Sequence, residues 1–185
     1  MGKSFEIVSS KDFNGFSQNE QIAFLINEYN FYTIDLIVSN LPLKSGIRDI
    51  ASPWDKKFIY LFGEKSSLNF IEHDLLRKKY SEPRIHFALV CASKSCPALI
   101  NRPFLASTID SQLNDAAIFF LSDTTKNIVD GKTLKLSEIF KWYGDDFNKI
   151  NKDGYLGYIK DILRLEKTDY KVKFLKYNWS LNNSK

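Results

Sequence analysis

Apolar residues recur at helical spacing from about position 17 to 40, the longest patterned stretch of the chain. Ser17-Gln18-Asn19-Glu20 opens it as a capping box, in which the serine hydroxyl and the glutamate carboxylate satisfy backbone donors reciprocally. On a helical wheel Glu28, Asp35 and Ser39 form one narrow polar stripe. Ile22, Ala23, Leu25, Ile26, Tyr29, Ile34, Leu36 and Ile37 cover most of the rest. A helix apolar nearly all round is a buried, central one. Asn27 and Asn30 fall on its apolar side, and buried amides need partners, so these two either anchor a loop or line a pocket.

Pro42 and Gly46 then open a loop that Ser52-Pro53-Trp54-Asp55 punctuates, and Lys57 to Phe62 reads as a strand ended by Gly63. Ser66 or Ser67 caps a helix to about Tyr80 with the stripe Leu68, Ile71, Leu75 and Leu76. Arg84 to Cys91, after Pro83, reads as the best strand. Alternation places His86, Ala88 and Val90 on one face and Ile85, Phe87, Leu89 and Cys91 on the other. Ser107 or Thr108 starts a helix with Ile109, Leu113, Ala116, Ala117 and Phe120 inside. Asp130-Gly131 joins two short segments as a hairpin, the signal of a type I′ turn. A short helix follows from Ser137-Glu138 to Gly144, another helix from Gly154 to Leu165, and a late strand from Tyr170 to Tyr177. Helices and strands mix, so the expected fold is α+β: a buried central helix packed on a mostly antiparallel sheet, with several amphipathic helices.

Composition narrows the class. A chain of 185 residues is read as a single domain, 1–185. It can bury roughly 70% of its unfolded surface without disulfide staples. The net charge of +4 comes from scattered lysines, which reads as solubility and not as a nucleic-acid interface. No run reaches ~18 consecutive apolar residues, so no transmembrane segment is expected. Met1-Gly2-Lys3-Ser4 is not followed by an apolar signal core, and residues 1–16 read as the tail of a longer N-terminal region. An exported or periplasmic location is therefore open, provided a leader has been removed.

The rare reactive groups gather between positions 72 and 96, which hold both cysteines and both histidines. Glu72 falls inside an apolar helix stripe, where a carboxylate is costly unless paired. It is either a site residue or one half of an ion pair with Arg77 or Arg84. His73, at the stripe's margin, is either a base or a partly exposed helix histidine. His86 has small neighbours that leave room beside it, and is either a base or a satisfied core histidine. Cys91 shares a face with Ile85, Phe87 and Leu89 and resembles a small core residue. Cys96 sits in a polar loop beside Lys94 and Ser95 and just before Pro97. Such surroundings favour a thiolate, so Cys96 is expected to be the more reactive thiol.

Several segments, in order, resemble the domain of unknown function 547 family. Ala23-Phe24-Leu25-Ile26-Asn27-Glu28-Tyr29-Asn30 is similar to its A-F-W-I-N-x-Y-N helix, and Ile71-Glu72-His73 with Leu76-Arg77 to its I-E-H-x-x-L-R segment. Pro83 to Leu89, continued by Cys91 and Ser95-Cys96-Pro97, resembles its P-R-I-H-F-A-L-N-C-G-x-x-S-C-P block. Ile139 to Tyr143 with Asp146-Phe147, and Tyr177 to Asn182, resemble its I-F-x-W-Y-x-x-D-F and Y-D-W-S-L-N blocks, so the likeness spans about residues 17–182. Val90, Ala92 and Leu25 stand where the family usually has Asn, Gly and Trp, and Asp35 where many members carry a histidine. The family has no settled activity; exported bacterial members and plant members with coiled coils allow both an enzyme and an interaction module. A remote likeness to the papain and transglutaminase group implies a buried helix on an antiparallel sheet that presents a histidine.

Two function classes follow. One is a cysteine-dependent hydrolase or acyl transferase acting on an amide or ester of a small molecule or peptide. Its expected catalytic residues are Cys96, His86, His73 and Glu72. The other is a non-catalytic binding or protein-interaction domain in which Asn27, Asn30, Arg84 and Cys91 belong to a structural polar network. Zinc is not expected, because four residues between the cysteines match no standard zinc spacing. Cofactors are not expected either, since both phosphate-loop signatures are missing from the sequence. A disulfide between Cys91 and Cys96 stays open if the loop folds back far enough.

Overall fold

The computed structural model describes residues 8–166 and 169–182. The reading of Met1 to Ser4 lies outside the described residues. Two capping boxes open the fold. Ser9 begins a short helix, α1 (Ser10–Gly15), and Ser17 begins the long helix α2 (Gln18–Val38), where Glu20 accepts the Ser17 N–H at 2.7 Å. α2 buries Ile22, Leu25, Ile26, Tyr29 and Leu36. Its outer stripe differs from the expected one. Phe31, Ile34 and Val38 are exposed beside Asp35, whereas Glu28 is only 7% exposed. Burial raises the Glu28 carboxyl to about 7.

The expected strand before Gly63 is β1 (Ile59–Leu61), and it pairs antiparallel with β2 (Glu64–Ser66). Both turn residues, Phe62 and Gly63, have positive φ (57° and 86°). That is the geometry of a twist-matched two-residue hairpin. β2 is too short and too polar to have carried a strand signal of its own. The helix expected from Ser67 spans residues 68–79, with Ser67 Oγ accepting the Phe70 N–H at 3.2 Å. Its centre, Phe70–Arg77, is a π-helix, a wider coil that occurs most often near functional sites. It carries Glu72, His73 and Arg77.

The strand expected at Arg84 to Cys91 is not formed. Pro83–Phe87 is a 3-10 helix, with Pro83 at its start and the Glu82 side chain accepting the Arg84 N–H. The reason lies in the packing. Residues 85–90 are all buried, and they are shared between two cores. Ile85, Ala88 and Leu89 join the core around α2, while Phe87 joins the other with Phe120, Phe140, Phe147 and Tyr158. A segment that is apolar on every side carries no period, so alternation cannot separate strand from helix there.

Beyond this segment, α3 (Ile109–Ser122) buries the five expected inner residues. Strands β3 (Ile128–Asp130) and β4 (Thr133–Ser137) form the expected hairpin. Only Gly131 has positive φ in that turn, whereas type I′ requires it at Lys132 as well. The short helix α4 (Ile139–Tyr143) runs on, through Gly144, into the 3-10 helix Gly144–Lys149. Then come α5 (Gly154–Leu163) and β5 (Lys171–Leu175). β5 pairs parallel with β4, so this sheet is mixed. The class is α+β, with two small sheets and a helical bulk among the described residues.

Candidate active site

Two amides hold the chain that delivers the site. Asn30 donates to the Ala88 carbonyl (2.9 Å) and accepts the Val90 N–H (3.0 Å), clamping the backbone on both sides of Leu89. Asn27, half-buried, grips the backbone of Phe104 in the same way, at 2.9 Å twice. Both are loop anchors. Arg84 is an anchor too. Its guanidinium binds Glu82, Asp110 and Asn114 and ties the 3-10 helix to α3.

Cys91 follows the Asn30 clamp, and a tight loop brings the chain back to Cys96. Ala92 takes φ 55°, a conformation that a side chain disfavours and a glycine enters freely. The carboxy-terminal segment pins the loop. Asn182 donates to Ala92, Lys94 to Ser180 and Ser95 to Asn178, and Ser93 bridges Leu181. Cys96 ends up 4% exposed, with its Sγ accepting the Cys91 N–H at 2.6 Å. Cys91 is half-buried, and its Sγ lies 3.1 Å from Ser93 Oγ and 3.3 Å from Tyr177 Oη. The placement of the two thiols is therefore the reverse of the sequence expectation. The loop that looked polar turns its second cysteine inward under the C-terminal segment.

The electrostatics follow this placement. A hydrogen bond from the Cys96 thiol outweighs burial and, with help from Ser93 and Tyr177, lowers the Cys91 thiol to about 7. Burial, then the bond it gives to Cys91, pushes the Cys96 thiol well up. Burial likewise pushes the Tyr29 and Tyr177 hydroxyls up, helped by Glu72 for Tyr29 and by the thiols for both, so they stay protonated donors.

His86 projects from the 3-10 helix, 2% exposed in its side chain, with Nε2 2.8 Å from Asp146 Oδ2. Arg77 donates to both oxygens of the same carboxylate at 2.7 and 3.1 Å. Burial would raise the Asp146 carboxyl, but the bonds from His86 and Arg77 outweigh it and hold that carboxyl well below the usual range. An ionised Asp146 fixes Nε2 as a donor and orients the ring. The ring is stacked on Tyr143, with centroids 4.1 Å apart and planes at 13°, and Arg77 lies 4.9 Å over the Tyr143 ring. Burial, helped by the nearby Glu72 carboxylate, pushes the Tyr143 hydroxyl up, so it stays protonated.

Both arrangements line one cavity of about 310 Å³. Glu72, His86, Cys91 and Cys96 meet there with Tyr29, Tyr143 and Tyr177, and all three tryptophans of the chain, Trp54, Trp142 and Trp179, contribute walls. Trp179 lies 5.7 Å from Trp54 and 5.9 Å from Trp142, centroid to centroid. His73 is not among the lining residues, and its Nδ1 accepts from Arg77 at 2.9 Å. Among the described residues no sheet presents His86, which sits on the 3-10 helix, in contrast to the papain-like arrangement. Among the described residues no group of three or more His, Cys, Asp or Glu stands where it could hold a metal ion.

Sequence reasoning did not single out Asp146, Tyr143, Ser93 or Tyr177. The available signal was the pair of late aromatic blocks, Trp142-Tyr143-x-x-Asp146-Phe147 and Tyr177-Asn178-Trp179, which place polar groups among large rings. Searches among curated proteins and among solved structures found no match. A family model described as "Protein of unknown function, DUF547" matches residues 13–121, more than half of the chain and including the segment from Glu72 to Cys96. The two late blocks lie beyond that span, although they supply Tyr177 to the cavity wall and Asp146 as the partner of His86. By this match the chain belongs to the DUF547 family.

Proposed function

We propose that the domain is a cysteine-dependent hydrolase or acyl transferase acting on an amide or ester, with Cys91 as nucleophile, His86 as base and Asp146 as its orienting group. The observation that carries this reading is that an acidified thiol and a carboxylate-held imidazole line the same cavity. A nucleophile, a base and a third group that orients the base are what acyl transfer needs.

In this mechanism His86 takes the Cys91 proton, the thiolate adds to the acyl carbon, and the carbonyl electrons move to oxygen. The Tyr29 hydroxyl, protonated and lining the cavity, is available to receive that charge. Collapse expels the amine or alcohol, which takes a proton from His86. Water, or a second nucleophile deprotonated by His86, then cleaves the thioester and restores the thiol. Cys96 acts on the nucleophile as a hydrogen-bond donor, and Glu72 acts on His86 through Tyr143.

The test is p-nitrophenyl acetate with the reduced protein. The expected result is a burst of p-nitrophenolate and one acetyl group on Cys91, absent in Cys91→Ser and slowed in His86→Ala. If no acetyl group accumulates on Cys91 and no turnover is seen, the hydrolase reading fails. One observation favours a binding domain instead. The sulfur of Cys91 is bonded to Ser93 and Tyr177 and the ring of His86 to Asp146, so each is satisfied without the other. In that case the aromatic walls would hold a ligand, and Cys91→Ser would leave its affinity unchanged.

A further inference from the structure

We infer that Cys91 is a site of reversible oxidation by hydroperoxides, with Cys96 as its built-in resolving thiol. The inference rests on the ionised Cys91 of the reading above but not on acyl transfer.

Three observations carry it. First, the Cys96 thiol is folded back against the backbone of Cys91. The Cys96 sulfur accepts the Cys91 backbone N–H at 2.6 Å, one bond from the Cys91 Cα. Disulfides require close approach of the two Cα atoms, about 4.4–6.8 Å. The left-handed turn at Ala92 and the bonds to residues 178–182 hold the loop folded back in this way. Second, access is asymmetric. Both residues line the cavity, but Cys91 is half-buried whereas Cys96 is only 4% exposed. A molecule as small as a peroxide therefore meets Cys91 first. Third, the donors around Cys91 suit an anionic sulfur, since Ser93 Oγ and Tyr177 Oη approach it at 3.1 and 3.3 Å. Thiolate character and exposure together decide which cysteine a peroxide oxidises.

The chemistry balances in two steps. The Cys91 thiolate attacks one peroxide oxygen; the O–O bond breaks, an S–O bond forms, and the departing alkoxide or hydroxide takes a proton to leave as alcohol or water. The sulfur is oxidised to sulfenic acid and the peroxide is reduced. Cys96 then attacks the Cys91 sulfur. The S–S bond forms, the S–O bond breaks, and hydroxide leaves as water with the Cys96 proton. Two electrons pass from the thiol pair to the peroxide, and an external thiol restores them. The disulfide removes the nucleophile, so the same loop that activates Cys91 also shields it from irreversible oxidation.

The experiment treats the reduced full chain with hydrogen peroxide and follows it by intact mass and peptide mapping. The expected result is loss of two hydrogens, a Cys91–Cys96 peptide pair, and full recovery with dithiothreitol. In Cys96→Ser, dimedone should trap a sulfenic acid on Cys91. In Cys91→Ser, oxidation of Cys96 should be at least ~10-fold slower. Early dimedone trapping in the wild-type chain gives the same information if either variant fails to fold. Retention of both thiols, accumulation of sulfinic acid on Cys91 in the wild-type chain, or first oxidation at Cys96 would each overturn the inference. Acetylation by p-nitrophenyl acetate, measured on the same samples, separates the two proposals. A disulfide without any acetylation of the reduced form sinks only the acyl-transfer reading, and acetylation without a disulfide sinks only this one.

Discussion

At one end of the cavity a thiol is held by neutral donors, those of Cys96, Ser93 and Tyr177, on an irregular loop sewn to the C-terminal segment. At the other end an imidazole is held by a charged set, Asp146 and Arg77, on helical elements. The thiol end is reactive because its donors favour the anion. The imidazole end is rigid because a carboxylate with two cationic or polar neighbours has one favourable geometry. The two supports come from different parts of the fold, so either can be broken while the other stays intact.

Removing the sulfur itself should have the largest effect. Cys91→Ser is expected to lower the rate of acetylation by at least ~100-fold, with the unfolding midpoint little changed because the side chain is nearly isosteric. In the unmodified chain, alkylation of Cys91 should rise with pH through a midpoint near 7, the value to which its donors lower it. Cys96 should label far more slowly throughout. Kinetic mass mapping from pH 5 to 9 checks both, and a midpoint above 8.5 would remove the thiol end from the comparison.

Asp146→Asn attacks the other end. It should destabilise the domain by about 2–3 kcal/mol, since charge-assisted bonds from Arg77 and His86 are lost together. The sign of its pH dependence follows from the direction of the shift. The carboxyl titrates lower folded than unfolded, so its contribution is fully present above about pH 4 and lost as the pH falls through the folded value. Urea titrations should therefore separate wild type from Asp146→Asn at pH 7 and bring them together in strong acid. Equal midpoints at pH 7 would mean that the charged set is ornamental.

Asn30→Ala tests the element common to both ends, because Asn30 clamps the segment that carries His86 on one side and Cys91 on the other. A cost of about 2 kcal/mol is expected from two buried bonds. Acetylation should slow with it, and an unchanged denaturation midpoint would contradict the clamp.

The smallest effect lies outside the site. Glu28 titrates higher folded than unfolded, at about 7 because of burial, so the native state holds its proton more tightly. Stability should fall as the pH rises from ~4.5 to ~7, and the full penalty applies above that. Glu28→Gln should leave stability near pH 5 almost unchanged and raise it by about 1 kcal/mol at pH 8. Thermal melts at the two pH values decide it, and a destabilised variant at pH 8 would show that Glu28 has a partner worth more than its burial costs.

Local chemistry was legible where a pattern is self-contained. The Ser17–Glu20 box, the inner face of α3 and the Asp130-Gly131 hairpin depend on residues a few positions apart, and each formed in place. That Asn27 and Asn30 must be satisfied, by anchoring a loop or lining a pocket, was legible from their place on an apolar face, and the structure shows the anchoring. The cluster between Glu72 and Cys96 was legible as a region. Its internal roles were not. Alternation failed from Arg84 to Cys91 because two cores share that segment, and Glu28 was misplaced because α2 turns Phe31, Ile34 and Val38 outward instead.

The sequence by itself determined the α+β class, the long capped helix, the need of two amides for partners and the gathering of reactive groups in one stretch. These depend on local periodicity and on the cost of leaving a polar group unpaired. Only the tertiary structure decided which thiol is the more exposed, which carboxylate orients His86, and that Tyr177 and Asp146 join residues separated from them by dozens of positions. Those pairings depend on how far the loop after Cys91 folds back and on what the C-terminal segment covers, and neither distance is written in the spacing of residues along the chain.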